Sequence, residues 1–256
     1  MNDETLAKKI ALAATLLQEA RYQVALTGAG TSTPSGIPDF RSPGSGMWER
    51  HNPTEVASIQ SFRRNPQVFY NWIRPLATSL LTARPNPGHL ALAKLERQGL
   101  LKAIITQNVD NLHQQAGSQE VLELHGHLRE ATCIKCYRVV STQDLLDKFL
   151  ASGEVPHCTR CGGVLKPNVI LFGEQLPIQV VNAALMHTRK ADLMLVIGSS
   201  LEVAPASHLP LMVLERNGRL IVINMTPTYI DDMADVVIYA DLAEVLPRIA
   251  QACARG

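Results

Sequence analysis

The stretch Gly28-Ala29-Gly30-Thr31-Ser32-Thr33-Pro34-Ser35-Gly36-Ile37-Pro38-Asp39-Phe40-Arg41 follows the apolar run Val24-Ala25-Leu26. A strand that runs into Gly-x-Gly can present backbone N–H groups to a pyrophosphate. The third glycine of G-x-G-x-x-G would fall at Thr33, however, and the stretch continues into an acid, an aromatic ring and an arginine that no phosphate cradle requires. A dehydrogenase also needs an acid that ends a second strand about 20 residues further on, for the ribose hydroxyls. Glu49 and Glu55 lie in that region, and neither ends an apolar strand. The usual dehydrogenase reading therefore fails on its second requirement, and the G-x-G by itself fits either a nucleotide loop or a plain strand–turn–helix.

Three more apolar runs end in small polar residues. LKAII leads into Thr106-Gln107-Asn108-Val109-Asp110, LMLVI into Gly198-Ser199-Ser200, and LIVI into Asn224. Ligands of open parallel sheets bind outside the carboxyl ends of the strands, so four such ends make a coherent crevice. His125, in Glu123-Leu124-His125-Gly126, follows an alternating run. Its imidazole titrates near neutral pH and is a natural general base.

Cys133-x-x-Cys136 and Cys158-x-x-Cys161 are separated by 21 residues. Each C-x-x-C knuckle turns two sulfurs toward one point, and four thiolates complete a tetrahedral Zn²⁺ shell of the ribbon type. Such a shell has no open position, so the zinc is expected to be structural, one per chain, holding residues 128–166. Lys135 and Arg160 stand inside the knuckles and offset thiolate charge, and Gly162-Gly163 leaves room for amides to approach the sulfurs. The fifth cysteine, Cys253, reads as an ordinary thiol.

These residues need a scaffold. The chain of 256 residues is 46% apolar and 18% charged with a net charge of +1. That is a globular composition, and the charge argues against nucleic-acid or membrane-surface binding through bulk electrostatics. The N-terminus has no basic region leading into an apolar core, and the apolar runs are short, so a soluble, cytoplasmic protein is expected. Helical spacing predicts a helix over 4–20, and a strand follows at 22–27. Residues 42–66 read as a long loop with short helices, and 66–83 as a helix broken or kinked at Pro75. A helix opens at Pro87 and ends at Gly99. Strands are expected at 101–106, 169–172, 193–197, 220–224 and 236–239, with a closing helix at 242–252. Strands alternating with helices predict an α/β fold, a Rossmann-like doubly wound parallel sheet. A smaller zinc-ribbon module and a helical insertion interrupt it. The expected division is 1–41, 86–127 and 167–256 for the sheet domain, 42–85 for the helical insertion, and 128–166 for the zinc module.

GAGTSTPSGIPDFR, TQNVDNLH, ELHG, the two C-x-x-C pairs, ILFGE at 170–174, GSSLEVAP at 198–205 and the late Asn224 occur in that order. Together they resemble the motif series of the sirtuins, NAD-dependent protein lysine deacylases, of the bacterial and archaeal acetyl-lysine type. The resemblance runs from about residue 25 to 242. It implies a reaction in which the acyl-lysine carbonyl oxygen attacks C1′ of the nicotinamide ribose, nicotinamide leaves, and a histidine then activates a ribose hydroxyl. By position His125 is that base, with Asn108 and Asp110 beside it. Ile37 and Asp39 are implied to hold the carboxamide, Phe40 to cover the ribose, and Arg41 and Gln107 to position phosphate and ribose. Val109 is implied as a further cofactor contact. Gly28, Ala29, Gly30 and Thr33 match the pyrophosphate loop. Gly198, Ser199, Ser200, Asn224, Asp241 and Leu242 match the adenosine side. Val169, Ile170, Leu171, Phe172 and Gly173, with Leu201, Glu202 and Val203, match two segments that clamp an acetylated protein or peptide as an extended strand. Phe172 is implied to line the acyl-lysine tunnel.

Desuccinylating sirtuins carry Tyr-x-x-Arg on the helix after the cofactor loop. Here Ile73 stands three residues after Tyr70, and Arg74 is one place late. One helical residue rotates a side chain by about 100°, so Arg74 is expected to point away and a neutral acyl group is favoured. Mono-ADP-ribosyl transfer and a non-catalytic NAD- or ADP-ribose-binding module are the alternatives that share this crevice.

Overall fold

Strands that are apolar at every position need cover on both faces, and the computed structural model supplies it. The structure describes residues 2–254 except 43 and 45. The chain opens with α1 (Asp3–Glu19) and β1 (Gln23–Thr27), then α2 (Pro53–Val56), α3 (Ile59–Arg64), α4 (Pro66–Thr82) and α5 (Pro87–Arg97). Next come β2 (Ala103–Thr106), α6 (Leu112–Gln115), β3 (Val121–Glu123), β4 (Gly126–Cys133), β5 (Val139–Ser141), α7 (Gln143–Ser152) and β6 (Leu165–Val169). The last third holds α8 (Ile178–Lys190), β7 (Leu193–Ile197), α9 (Leu209–Leu214), β8 (Arg219–Asn224), β9 (Val236–Tyr239) and α10 (Leu242–Cys253).

Six strands form one parallel sheet in the order β3-β2-β1-β7-β8-β9. Successive residues of β1 serve opposite faces. Ala25 packs with Ile104, Leu195 and Ile221 against Leu17, Leu92 and Ile249 of α1, α5 and α10. Val24 and Leu26 pack with Ile105, Met194 and Val222 on the other face, under Ala184 and Val213 of α8 and α9. The strand order reverses between β1 and β7, and the register keeps the strand ends level: Thr27 pairs with Thr106 and Ile197, Thr106 with Glu123, and Ile197 with Ile223. The residues after those ends emerge along one edge.

A second sheet, β5-β4-β6, is antiparallel. Here one expectation is corrected. The apolar run at 169–172 is not a strand of the main sheet. Its first residue ends β6, and Phe172 forms only an isolated bridge with Ser58. β6 alternates buried and half-buried positions through Leu165, Pro167 and Val169, a one-faced strand whose pattern is masked by the apolar residues beyond it. Of the break or kink expected at Pro75, the break does not occur: Pro75 lies inside α4 without ending it.

Behind the main crevice, His89 and His113 are almost fully buried with ring centroids 4.8 Å apart. His113 Nε2 lies 3.0 Å from Thr27 Oγ1, while His113 Nδ1 and His89 Nε2 find no protein partner among the described residues. Burial lowers His89 to about 4, and burial followed by its neighbour His89 lowers His113 to about 3. Both folded values lie below the ordinary 6.5, so the fold favours the neutral rings. Their contribution is whole above pH 6.5 and is lost as pH falls toward 4. For His89 this amounts to roughly 3 kcal/mol. The zinc thiolates also take up protons in acid, so the test compares variants. The midpoint of thermal unfolding is expected to fall less between pH 7 and pH 4.5 in His89→Phe than in wild type. Equal slopes would contradict this.

Candidate active site

The loop after β1 and the loop after β7 meet backbone to backbone. A Cβ on Gly28 would stand 2.7 Å from Gly198 O, and one on Gly30 would stand 2.9 Å from Gly198 Cα. Gly198 has φ +57°, and its own Cβ would lie 2.4 Å from Thr31 N. These three glycines are thus required first by the seam between the two loops. Gly28 N donates to Ile197 O and Gly30 N to Gly198 O. The amides of Ala29 and Thr33 have no protein acceptor among the described residues, so two donors are free at the mouth of the seam. That donor pair suits an anion such as a pyrophosphate.

Asn108 is buried, and its Nδ2 donates to Gly28 O at 3.0 Å and to Ser32 Oγ at 3.1 Å. The Ser32 hydroxyl in turn donates to Asp110 Oδ2 at 2.6 Å, and Leu112 N donates to the other oxygen. Ser32 thus ties the loop after β1 to both polar residues after β2. Burial raises the Asp110 pKa, against the lowering effect of Ser32 and the Leu112 amide. Gln107 Nε2 donates to Ser199 Oγ at 2.8 Å, and Asn224 Nδ2 donates to Ser199 O at 3.1 Å. One hydrogen-bonded row therefore spans β2, β1, β7 and β8.

His125 lies half-buried just beyond β3. Its Nδ1 is 3.0 Å from Gln107 O. A carbonyl oxygen only accepts, so Nδ1 carries the hydrogen and Nε2 keeps its lone pair. Burial lowers the His125 pKa, the Gln107 carbonyl raises it in part, and the nearby Arg41 lowers it further. The ring is a neutral base of fixed tautomer at neutral pH.

The second half of the glycine loop folds over this row. Ile37 is half-buried there, its amide bound to Ser32 O. Asp39 accepts from the amides of Arg41 and Ser42 at 3.0 and 2.7 Å, so its carboxylate shapes its own turn. Arg41 Nε pairs with Glu202 Oε2 at 2.9 Å across the crevice. Phe40 stacks on Trp48 with centroids 5.0 Å apart. Val109 packs into the aromatic cluster of α3, α4 and α7, and Ser200 is half-buried beyond β7. Asp241 and Leu242 follow β9 on the same edge of the sheet, but Asp241 caps α10 through Ala243 N and Leu242 is buried in the core.

Val169 to Gly173 and Leu201 to Val203 flank the crevice. Ile170 N donates to His125 O, Phe172 N to Ala57 O, and Leu171 N to Glu174 Oε2. Most amides of the first segment are therefore already paired within the chain. Lys166 Nζ holds this turn through Val169 O at 2.7 Å and Glu174 Oε2 at 2.9 Å. In the second segment Leu201 is buried at φ +56°, which leaves Glu202 exposed.

The four sulfurs form a separate site. They lie within 4.8 Å of one another, with Cys133 and Cys161 3.5 Å apart and Cys136 and Cys158 3.8 Å apart. Four Zn–S bonds of about 2.3 Å at tetrahedral angles place sulfurs roughly 3.8 Å apart, so the cluster fits the ion. A Cβ on Gly163 would lie 2.8 Å from Cys133 Sγ. The amides of Cys136 and Lys135 hold Cys133 down to about 6, and the amide of Arg160 lowers Cys158. Cys161 gains from the Gly163 amide, yet its crowding with Cys136, Cys133 and Cys158 raises it to about 11. Four thiolates need a cation here.

Arg74 and Tyr70 connect the two regions. The Arg74 guanidinium donates to Leu150 O and Ala151 O at the end of α7, and Tyr70 OH donates to Leu165 O at 2.6 Å. Arg74 is therefore turned into the zinc module. Ser32, Trp48, Trp72, Lys166 and Glu174 were given no role by sequence reasoning. The concentration of both tryptophans of the chain in residues 42–85 was the available signal for two of them.

Among the described residues no helix is long and apolar enough to cross a membrane. The sequence pattern of the Sir2 family matches residues 28–205. The chain is 47% identical over 232 residues to the NAD-dependent protein deacetylase of Sulfurisphaera tokodaii, covering 91% of each chain. A solved Sir2 enzyme superposes with a TM-score of 0.91 at 41% identity, over 97% of this chain and 98% of its own. A Sir2 solved with a deacetylated p53 peptide and 3′-O-acetyl ADP-ribose gives a TM-score of 0.88 at 41% identity, over 93% and 96% of the two chains.

Proposed function

Because this chain belongs to the Sir2 family, we propose that it deacetylates lysine in proteins at the expense of NAD, giving nicotinamide, O-acetyl-ADP-ribose and free lysine. The observation that carries the reading is the fixed tautomer of His125, whose Nδ1–H donates to Gln107 O and whose Nε2 is left free. NAD supplies the ribose carbon that accepts the acyl oxygen and the nicotinamide that leaves. His125 Nε2 takes the proton from a ribose hydroxyl. Asn108, buried and locked to Gly28 O and Ser32, gives the ribose pocket a rigid polar floor, with Asp110 alongside. Ala29 and Thr33 receive the pyrophosphate on open amides, and Ser199, Ser200 and Asn224 bound the adenosine side. Ile37 and Phe40 close over the nicotinamide ribose and exclude water. Arg41 reaches a phosphate when it leaves Glu202. The peptide lies between 169–173 and 201–203, and the zinc holds the module at 128–166 between the sheet-domain segments 86–127 and 167–256. A Cys₄ zinc shell requires reduced thiols, which supports a cytoplasmic location.

Incubation with NAD and an acetyl-lysine peptide tests the reading, with nicotinamide and O-acetyl-ADP-ribose appearing together. A mass-shifted protein acceptor would instead indicate ADP-ribosyl transfer, and bound NAD without nicotinamide release a binding module.

Acetyl is favoured over succinyl because Arg74, the cation nearest the required helical position, is bound to the α7 carbonyls. A carboxylate buried without a cationic partner costs several kcal/mol. The expected kcat/KM for succinyl-lysine peptide is lower than for acetyl-lysine by a factor of about 100 or more. Equal rates would overturn this assignment.

A further inference from the structure

The chain has two tryptophans, and they stack on each other. Trp48 lies 5.0 Å from Phe40 at an interplanar angle of 28°, and 6.1 Å from Phe172, which meets it edge-on. Its other neighbour is Trp72, 5.7 Å away and tilted by only 15°. Trp72 is backed by Phe69 at 5.9 Å, and Phe69 is buried. The backbone fixes the arrangement as well: Met47 N donates to Asp39 O and Trp48 N to Phe40 O, so the Trp48 indole is held against the Phe40 ring.

Trp48 is half-buried and touches aromatic rings on three sides. Aromatic rings with centroids about 5 Å apart have no layer of atoms between them. If Phe172 lines the acyl-lysine tunnel, an acyl chain continuing toward Phe40 would meet the Trp48 indole, backed by Trp72 and the buried Phe69. Each methylene beyond acetyl would then have to displace an indole stacked on Phe40 and Trp72 and touched by Phe172, contacts that must be broken or repacked.

We propose that Trp48, braced by Trp72, is the residue that sets acyl-chain length in this enzyme and restricts it to short neutral acyl groups. The inference rests on the deacylation reading above, with Phe172 beside the acyl-lysine. The ring contributes by volume and takes no part in proton transfer.

The test measures NAD-dependent deacylation of one peptide carrying acetyl-, butyryl-, octanoyl- or myristoyl-lysine, by wild type, Trp48→Ala, Trp48→Phe and Trp72→Ala. The quantity read is the ratio of octanoyl to acetyl kcat/KM within each protein, which cancels a shared loss of folded enzyme. Wild type is expected to favour acetyl by about tenfold or more. Trp48→Ala should raise the octanoyl-to-acetyl ratio at least tenfold, Trp48→Phe should fall between, and Trp72→Ala should move the ratio in the same direction by releasing the brace. Wild type that accepts octanoyl- or myristoyl-lysine as well as acetyl-lysine would overturn the proposal. So would an unchanged ratio in Trp48→Ala. Absence of nicotinamide release with the acetyl peptide would instead defeat the deacylation reading itself.

Discussion

His125→Ala leaves NAD bound and stops deacetylation, with turnover falling by about two to four orders of magnitude. The expectation follows from how little else the ring does. The His125 ring makes one hydrogen bond, from Nδ1 to Gln107 O, and the residue is only half-buried. Its removal leaves the floor of the pocket standing, because Asn108 is held by Gly28 and Ser32, and Gln107 by Ser199. NAD titration and turnover on the same preparation separate binding from chemistry. A His125→Ala enzyme with wild-type turnover would remove the ring from the reaction. The pH profile adds a second check. Burial pushes His125 below its ordinary value, so the acid limb of kcat/KM should fall below pH 6.5.

Loss of the metal has the second large effect. Cys158→Ser, or a strong chelator, should remove the one zinc expected per chain and unfold the small sheet. Structural zinc of this type contributes on the order of 10 kcal/mol to the fold it closes. The damage should not stop at the module. Arg74 and Gln67 of α4 donate to backbone carbonyls at and just beyond the end of α7, and Tyr70 to Leu165 O. Deacetylation should therefore fall by about tenfold or more together with the thermal midpoint, while the parallel sheet, whose cores lie elsewhere, retains its circular dichroism. Metal analysis gives the decisive figure: well under one zinc per chain in fully active protein would contradict the site.

The parallel sheet and its crevice are legible in the sequence because each signal is local. Val24-Ala25-Leu26 can only be a strand covered on both sides, and the polar residues after it mark its open end. The C-x-x-C pairs are equally local. Features that depend on contacts distant in sequence are hidden. Nothing near Gly28 or Gly30 announces that their neighbour is Gly198, so the glycines read as a phosphate cradle when they also form a seam. The apolar run beyond Val169 suggests a sheet strand, whereas Lys166 and Glu174 draw it into a turn. Asp241 fits its α10 capping role by local signal, yet Leu242 is committed to the core. Pro75 is tolerated in α4, since a tertiary setting can hold a helix that propensity alone would break.

The pairing of Trp48 with Trp72 also has an optical consequence. The main sheet, the zinc module and the terminal helix contain no indole. Tryptophan emission and the near-ultraviolet dichroism of coupled indoles therefore arise from a single stack beside Phe40. The unmodified protein therefore carries its own reporter beside Phe40, and a change in that signal on adding NAD or an acylated peptide would report on the surroundings of this stack.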